Sequence, residues 1–300
     1  MRVVSYESAG GTRSGLQIGQ RVVDATTAAQ SAGLGPTADW TSTRSVIASG
    51  RDTLAKLDGT AHELAGDESA SLDLTALVLA PPIGDPDKIV CLGLNYRAHA
   101  AEATLEVPDA PTLFAKFRNS LIGPYGTIVL PAVSGFVDYE AELAVVIGTT
   151  AKDVSEADAL EYVAGVMALN DVSARDLQTQ TSQWLPGKAL DTFAPCGPAL
   201  VLLDEIEDIQ ALGIKTRLNG ELVQDGNTSE MIFAVAETVA YLSRLMTLVP
   251  GDVIATGTPA GVGFERVPQL RLHDGDVVEV EIEGVGSLRN TVVGWRQHER

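Results

Sequence analysis

The chain has 300 residues, 45% of them hydrophobic and 20% charged, with 40 acidic against 21 basic side chains and a net charge of −19. A length and composition of this kind suit one large soluble globular domain or two modest ones. The acidic balance excludes nucleic acid and anionic membrane surfaces as partners, because both need clustered Lys and Arg. A small anionic substrate stays open to it, since a few well-placed cations act locally. Two cysteines, Cys91 and Cys196, stand outside any paired motif. A reducing, cytoplasmic compartment is therefore expected rather than a disulfide framework. No apolar core follows Arg2 as in a signal peptide, and no run reaches the length of a membrane-spanning helix.

Residues 1–75 read as a small N-terminal α/β subdomain. RVVSYES and GLQIGQRVVDA have the composition of strands joined by the turn Ala9-Gly10-Gly11, and helical stretches are expected over 40–48 and 53–64. The segment LAPPIGDPDK, rich in Pro and Gly, stops regular structure and makes 76–87 a linker. The remainder, 88–300, carries mostly strand signals. KIVCLGLN reads as a strand, NYRAHAAEAT as a short helix capped by Asn95, and TLFAKF as a strand. An acidic helix is expected over 155–162, and VAGVMALND is an apolar strand ending at Asp171. Asn219-Gly220 between alternating residues is a hairpin signal. SEMIFAVAETVAYLSRLM has helical periodicity from Ser229 onward. GDVIATGTPAGVG is a strand entering a Gly-rich loop, and DVVEVEIEGVGSLRNTVV is a final hairpin. The pattern is α+β and mainly β, without the strand–helix alternation of a doubly wound fold.

The segment FVDYEAELAVVIG places Asp138, Glu140 and Glu142 on one face of a strand, since residues two apart point the same way. Glu140 and Glu142 would lie about 7 Å apart, near enough to converge on one ion. An edge strand with a wet acidic face is the ordinary reading of Glu-x-Glu. Here the strand runs on into AVVIG, apolar on both faces, which implies burial on both sides, and no Lys or Arg nearby in sequence offers a partner. Asp171, at the end of another apolar strand, is a third candidate ligand or else a turn residue. All-oxygen donors suit a hard cation, Mg2+, Mn2+ or Ca2+.

His99 and Glu102, three apart in a helix, share a face, and a carboxylate beside an imidazole can aim a general base. A surface His beside a surface Glu is the plainer alternative. His62, His273 and His298 have no comparable neighbours. The chain contains no nucleophile elbow, zinc-protease motif, P-loop or dinucleotide fingerprint. Metal-assisted activation of water therefore outranks covalent catalysis.

Eight blocks, CLGLNYRAHAAE, FAKFRNSLIGP, VDYEAELAVVIG, ALNDVSARDLQ, GKALDTFAPCGPALV, LNGELVQDGNTSEMIF, GDVIATGTPAGVG and EGVGSLRNTV, occur in this order over roughly 82–293. In this order they resemble the fumarylacetoacetate hydrolase family. The resemblance implies a mixed β-sandwich roll, a homodimer, and a catalytic unit over 88–300. It implies metal ligands at Glu140, Glu142 and Asp171, with Mg2+ as cofactor and Mn2+ or Ca2+ as alternatives. It further implies His99 and Glu102 as a water-activating pair on a lid, Lys188 and Gln178 as active-site groups, Thr258 at the substrate carboxylate, and Lys116 and Arg118 facing the site. Two departures stand out. Asn95 occupies the region where the namesake enzyme has a fourth acidic ligand, and Leu94 stands where some acylpyruvate-cleaving relatives have Arg.

The activity so implied is hydrolysis of a carbon–carbon bond in a 2,4-diketo acid, an acylpyruvate-like small anionic substrate, through a metal-chelated enolate, in breakdown of aromatic or sugar-acid compounds. Oxaloacetate decarboxylation and isomerisation of hydroxymuconate-type dienes use the same enolate and are the alternatives. A family member that only binds a small diketo acid is a third. The wall around the substrate tail is expected from residues 180–186, including Trp184, and from residues 261–268.

Overall fold

The computed structural model describes residues 1–36, 38–102 and 106–295. His298, and the last residues expected for the helix after Asn95, lie outside the described residues.

The fold is strand-dominated α+β. One large sheet runs in the order Leu72–Asp73, Arg21–Asp24, Gly11–Ile18, Arg2–Ser8, Ala194–Leu202, Val163–Asn170, Ala141–Ile147, Val253–Ala255, Ile89–Gly93, Thr112–Lys116. A five-stranded sheet holds Glu221–Asn227, Gly213–Leu218, Val277–Ile282, Gly286–Gly294 and Ile128–Leu130. Ala141–Ile147 sits near the middle of the large sheet, antiparallel to both neighbours, and every residue of it is buried.

Period-two alternation explains what each face of that strand touches. Ala141, Leu143, Val145 and Ile147 pack with Ile214, Val280 and Leu288 of the five-stranded sheet and with Val235, Val239 and Leu242 of the helix Val235–Leu245. Ala144 and Val146 face the other way, toward Ala28, Ala29, Val46, Leu57 and Ala61 of the N-terminal helices. The strand is therefore filled on both sides, as its unbroken apolar run requires. Residues 1–75 supply one of those layers, and their first strand, Arg2–Ser8, pairs with Ala194–Leu202 inside the large sheet.

Several local features differ from expectation for identifiable reasons. GLQIGQRVVDA is two strands, broken by a turn at Gly19, whose φ is 58°. A helix at Ala25–Ser31 follows at once, capped by Asp24. The acidic segment near 155–162 forms turns and a short 3-10 stretch, Ala159–Tyr162. There the Ser155 hydroxyl donates to Asp158 at 2.6 Å and accepts from its N–H, so the side chains take the place of a helical first turn. Asn95 is not a cap. It is fully buried, donates to Phe233 O and Thr256 O, and accepts from Phe233 N–H, and the helix begins at Arg97. That same contact delays the later helix, which starts at Val235 rather than Ser229. The hairpin at Asn219-Gly220 forms as expected, both residues having positive φ, 52° and 84°.

Asp24 ties the N-terminal layer together. Its carboxylate accepts from Tyr6 Oη at 2.7 Å, from Arg13 Nε and Nη2 at 2.7 and 2.8 Å, and from the Thr26 and Thr27 amides. Burial opposes its ionisation, but Arg13 and Tyr6 outweigh that and hold its carboxyl below the ordinary range. Replacing Asp24 with Ala removes a helix cap and leaves Arg13 unpaired, and is expected to cost about 2–3 kcal/mol in urea unfolding at neutral pH. Because the folded carboxyl titrates below the unfolded one, the wild-type advantage should fade as pH falls through the acid range.

Candidate active site and metal centre

The central strand and its neighbours end at one cavity of about 260 Å3. Glu140 and Glu142 enter it from the start of Ala141–Ile147, and Asp171 lies just past the end of the adjacent strand Val163–Asn170. The register sets them side by side: Ala141 pairs with Asn170, and the Asp171 amide donates to Glu140 O. One carboxylate oxygen from each of the three lies within 4.8 Å of the others.

What compensates these charges comes from distant segments. Lys188, at the end of the short helix Leu185–Lys188, donates to Glu140 Oε2 at 2.7 Å and to Asp171 Oδ2 at 2.9 Å. Arg175 reaches Asp138 Oδ1 through Nε at 2.7 Å, Glu140 Oε1 through Nη2 at 2.6 Å, and Gln178 Oε1 through Nη1 at 3.1 Å. Lys116 Nζ lies 2.7 Å from Asp171 Oδ1. Its hydrogens are directed at the carbonyls of Val172, Lys188 and Phe193, so that carboxylate oxygen is left without a directed hydrogen bond. All three cations are buried.

The electrostatics separate the carboxylates. Burial works against ionising Glu140, but Lys188 and Arg175 outweigh it and hold its carboxyl below the ordinary range. Glu142 forms no ion pair among the described residues and accepts only the Gly257 N–H at 2.9 Å. Burial first, then Asp171 and Glu140, push its carboxyl well above the ordinary range. Asp138 is fully buried, held by Arg175 and the Phe264 N–H, and burial pushes it up to about 6. It is paired with Arg175 and shielded from solvent. Burial disfavours charge on Lys188, yet Asp171 and Glu140 outweigh it and raise its pKa.

The residues fit a divalent cation on their donor chemistry. Four buried carboxylates, Asp138, Glu140, Glu142 and Asp171, face three buried cations, Lys116, Arg175 and Lys188, and the residual charge falls on Glu142. A hard cation among three carboxylate oxygens would neutralise it and would also engage the oxygen of Asp171 that lacks a directed bond.

His99 lines the same cavity. Its Nδ1 is 3.4 Å from Glu102 Oε2. Glu102 also accepts the Gly261 N–H at 3.1 and 3.0 Å. Burial opposes Glu102 ionisation, but His99 and the Gly261 amide prevail and lower its pKa. Gln178, Lys188 and Thr258 line the cavity, and so do Trp184, Val262, Phe264 and Glu265 of the two wall segments. Lys116 sits behind Asp171 rather than at the cavity wall. Arg118 does not reach the site: it donates to Pro86 O and Asp85 O at the far end of Thr112–Lys116, because the chain turns outward after Phe117. Arg175 is the functional-looking residue the sequence reading missed. Its signal was the need for a counter-cation to Asp138, four residues after the Asp171 already singled out.

A strand-dominated roll with an acidic triad at the mouth of its central strands defines the fold class, and sequence comparison gives the family. A family model described as the fumarylacetoacetate (FAA) hydrolase C-terminal domain matches residues 88–293, and the chain belongs to that family. It is 48% identical over 213 residues to the mitochondrial oxaloacetate tautomerase Fahd2a of Rattus norvegicus, covering 71% of this chain and 68% of that one. The fumarylacetoacetate hydrolase from psychrophilic Exiguobacterium antarcticum superposes with a TM-score of 0.81 at 37% identity, covering 98% of this chain and all of that one. The maleylpyruvate hydrolase from Sphingobium sp. SYK-6, solved with manganese(II) and pyruvate, gives a TM-score of 0.79 at 32% identity, covering 99% of this chain and 100% of that one. No helix among the described residues is long and apolar enough to cross a membrane.

If the triad holds a divalent cation, millimolar Mn2+ or Mg2+ should raise the melting temperature by several degrees, about 2.7 kcal/mol at a hundredfold excess over Kd. EDTA should reverse the shift, and Glu142→Ala should abolish it. A cation shift in Glu142→Ala equal to wild type would place the ion elsewhere.

Proposed function

We propose that the protein is a divalent-metal-dependent enzyme that hydrolyses a carbon–carbon bond in a 2,4-diketo acid, an acylpyruvate-like substrate, with Mg2+ as cofactor and Mn2+ or Ca2+ as alternatives. The observation that carries this reading is one cavity lined by His99, which is paired with Glu102, and by Glu140 and Glu142, which are grouped with Asp171. The cation, when bound, would supply Lewis acidity toward a 2-oxo oxygen and so favour negative charge beside it.

The chain's own groups then have distinct tasks. With Nδ1 turned to Glu102, His99 has Nε2 free to take a proton from water, and the hydroxide adds to the C4 carbonyl carbon. Lys188 has a third N–H beyond the two given to carboxylates, and the Gln178 amide NH2 is free because only its oxygen engages Arg175. Both can donate to the oxyanion. The C3–C4 bond breaks, its electron pair staying on the pyruvate fragment, and His99 returns the proton to C3. Thr258 accepts from Gln224 at 2.8 Å, which leaves its own hydroxyl hydrogen for the substrate carboxylate.

A second reading is proton transfer on oxaloacetate, as in the names of mitochondrial relatives 48–49% identical to this chain. His99 would carry the proton at C3 and no water would be consumed. Decarboxylation and diene isomerisation need the same groups; one solved neighbour is titled a 5-carboxymethyl-2-hydroxymuconate delta-isomerase, from Mycobacterium smegmatis. Binding without turnover is the least favoured, because it needs no poised base. The proposal includes a cytoplasmic homodimer, a role in breakdown of aromatic or sugar-acid compounds, and a division into a subdomain over 1–75, a linker over 76–87 and a catalytic unit over 88–300.

Product assays with Mg2+ across acylpyruvates, oxaloacetate and hydroxydiene dioates test this. Pyruvate should be released from acylpyruvates. EDTA or Glu140→Ala should abolish turnover, and His99→Ala should lower kcat by about 10²–10⁴ while sparing Mn2+ affinity. Undiminished activity in EDTA would sink the metal mechanism. Enol–keto conversion of oxaloacetate with no carbon–carbon cleavage would give the second reading the site.

A further inference from the structure

The cavity has a polar floor and an apolar outer wall, and the boundary between them is built from three rings and chains in line. Lys188 Nζ lies 4.9 Å from the centre of the Phe114 ring. The Phe114 ring lies 5.5 Å from that of Trp184, tilted at 57°. Leu94 projects into the same cavity from a strand-to-helix turn, where its φ is 55°. Leading away from the carboxylates, the surface therefore passes from a charged amine to an aromatic face to an indole.

The outer wall, formed by Leu94, Phe114, Trp184, Val262 and Phe264, carries no cation. The two cations that line the cavity are at its carboxylate end: Arg175 is turned to Asp138, Glu140 and Gln178, and Lys188 to Glu140 and Asp171. The one ionisable side chain among the outer lining residues is Glu265, which would repel an anion. An apolar group buried there is stabilised by leaving water, whereas a carboxylate without a partner loses hydration with no return.

We propose that Trp184, seated on Phe114, is a specificity-determining residue, and that the cavity takes 2-oxo acids whose far end is uncharged and apolar, aliphatic or aryl, in preference to those ending in a second carboxylate. The position of Trp184 is fixed by Gly93: a Cβ there would fall 2.2 Å from Cζ3 of the indole. The indole thus rests on bare backbone, and any larger residue at 93 would displace it.

The inference rests on the proposed 2-oxo acid site and favours acylpyruvates with apolar tails over the diacids of the alternative readings, so it is tested by binding. Calorimetric titration of the Mn2+-loaded full chain would compare pyruvate, 2-oxohexanoate, 4-phenyl-2-oxobutanoate and 2-oxoglutarate. The two apolar-tailed acids are expected to bind at least tenfold tighter than 2-oxoglutarate. Trp184→Ala should weaken 4-phenyl-2-oxobutanoate about tenfold while pyruvate stays within twofold, and Gly93→Val should do the same by moving the indole. Equal or tighter binding of 2-oxoglutarate, or an unchanged profile in Trp184→Ala, would overturn the inference and leave the metal-site reading standing. Failure of pyruvate itself to bind would overturn both.

Discussion

The rest of the structure depends on the burial of four carboxylates at the end of a core strand. Desolvating a charge is costly, and the protein meets the cost with cations drawn from three separate segments. Lys116 comes from the sheet edge, Arg175 from the turn after Asp171, and Lys188 from a short helix. Each of those segments is thereby fixed to the acidic strand. Arg175 does this most directly, bridging Asp138 and Glu140 and holding Gln178. The compensation is incomplete at Glu142, so the cluster is not a set of closed ion pairs, and its three carboxylate oxygens could hold a cation.

The two layers around the central strand give the site its rigidity. The five-stranded sheet and the helix Val235–Leu245 fill one face, and the N-terminal helices fill the other. The carboxylates therefore project from a backbone that is packed above and below, while the wall of the cavity comes from loops. Asp138 links the two regimes, taking Arg175 on one oxygen and the Phe264 amide of the wall loop on the other.

Much of this was legible in the chain. The alternation in FVDYEAELAVVIG gave the strand Ala141–Ile147 and its two buried faces, but the segment is interrupted, since Val137–Asp138 pairs with Ser173–Ala174 in a separate two-stranded sheet. Asp171 was legible as the end of an apolar strand. Asn95 was misread because a residue just ahead of a helix looks like a cap from sequence, whereas here it satisfies three backbone groups of segments 138 and 161 residues away. The pairing of the cations with the acids was invisible for the same reason: Lys188, named only through the family resemblance, is 48 positions from Glu140, and neighbourhood in sequence says nothing about their contact. Arg118, expected at the site from its block, faces outward because the strand carrying Lys116 ends between them. Local signals fixed the elements; the partners across the fold needed coordinates.

The peptide at Gly261 is engaged on both sides. Its N–H holds the Glu102 carboxylate, while its C=O receives Tyr139 and Arg266. The short helix Arg97–Glu102 is thus moored to the body of the protein, on this side, by one carboxylate and one amide. The carboxylate that fixes the helix to Gly261 is the one that faces His99 Nδ1, so a change at residue 261 that costs this amide its place reaches the imidazole through a single side chain.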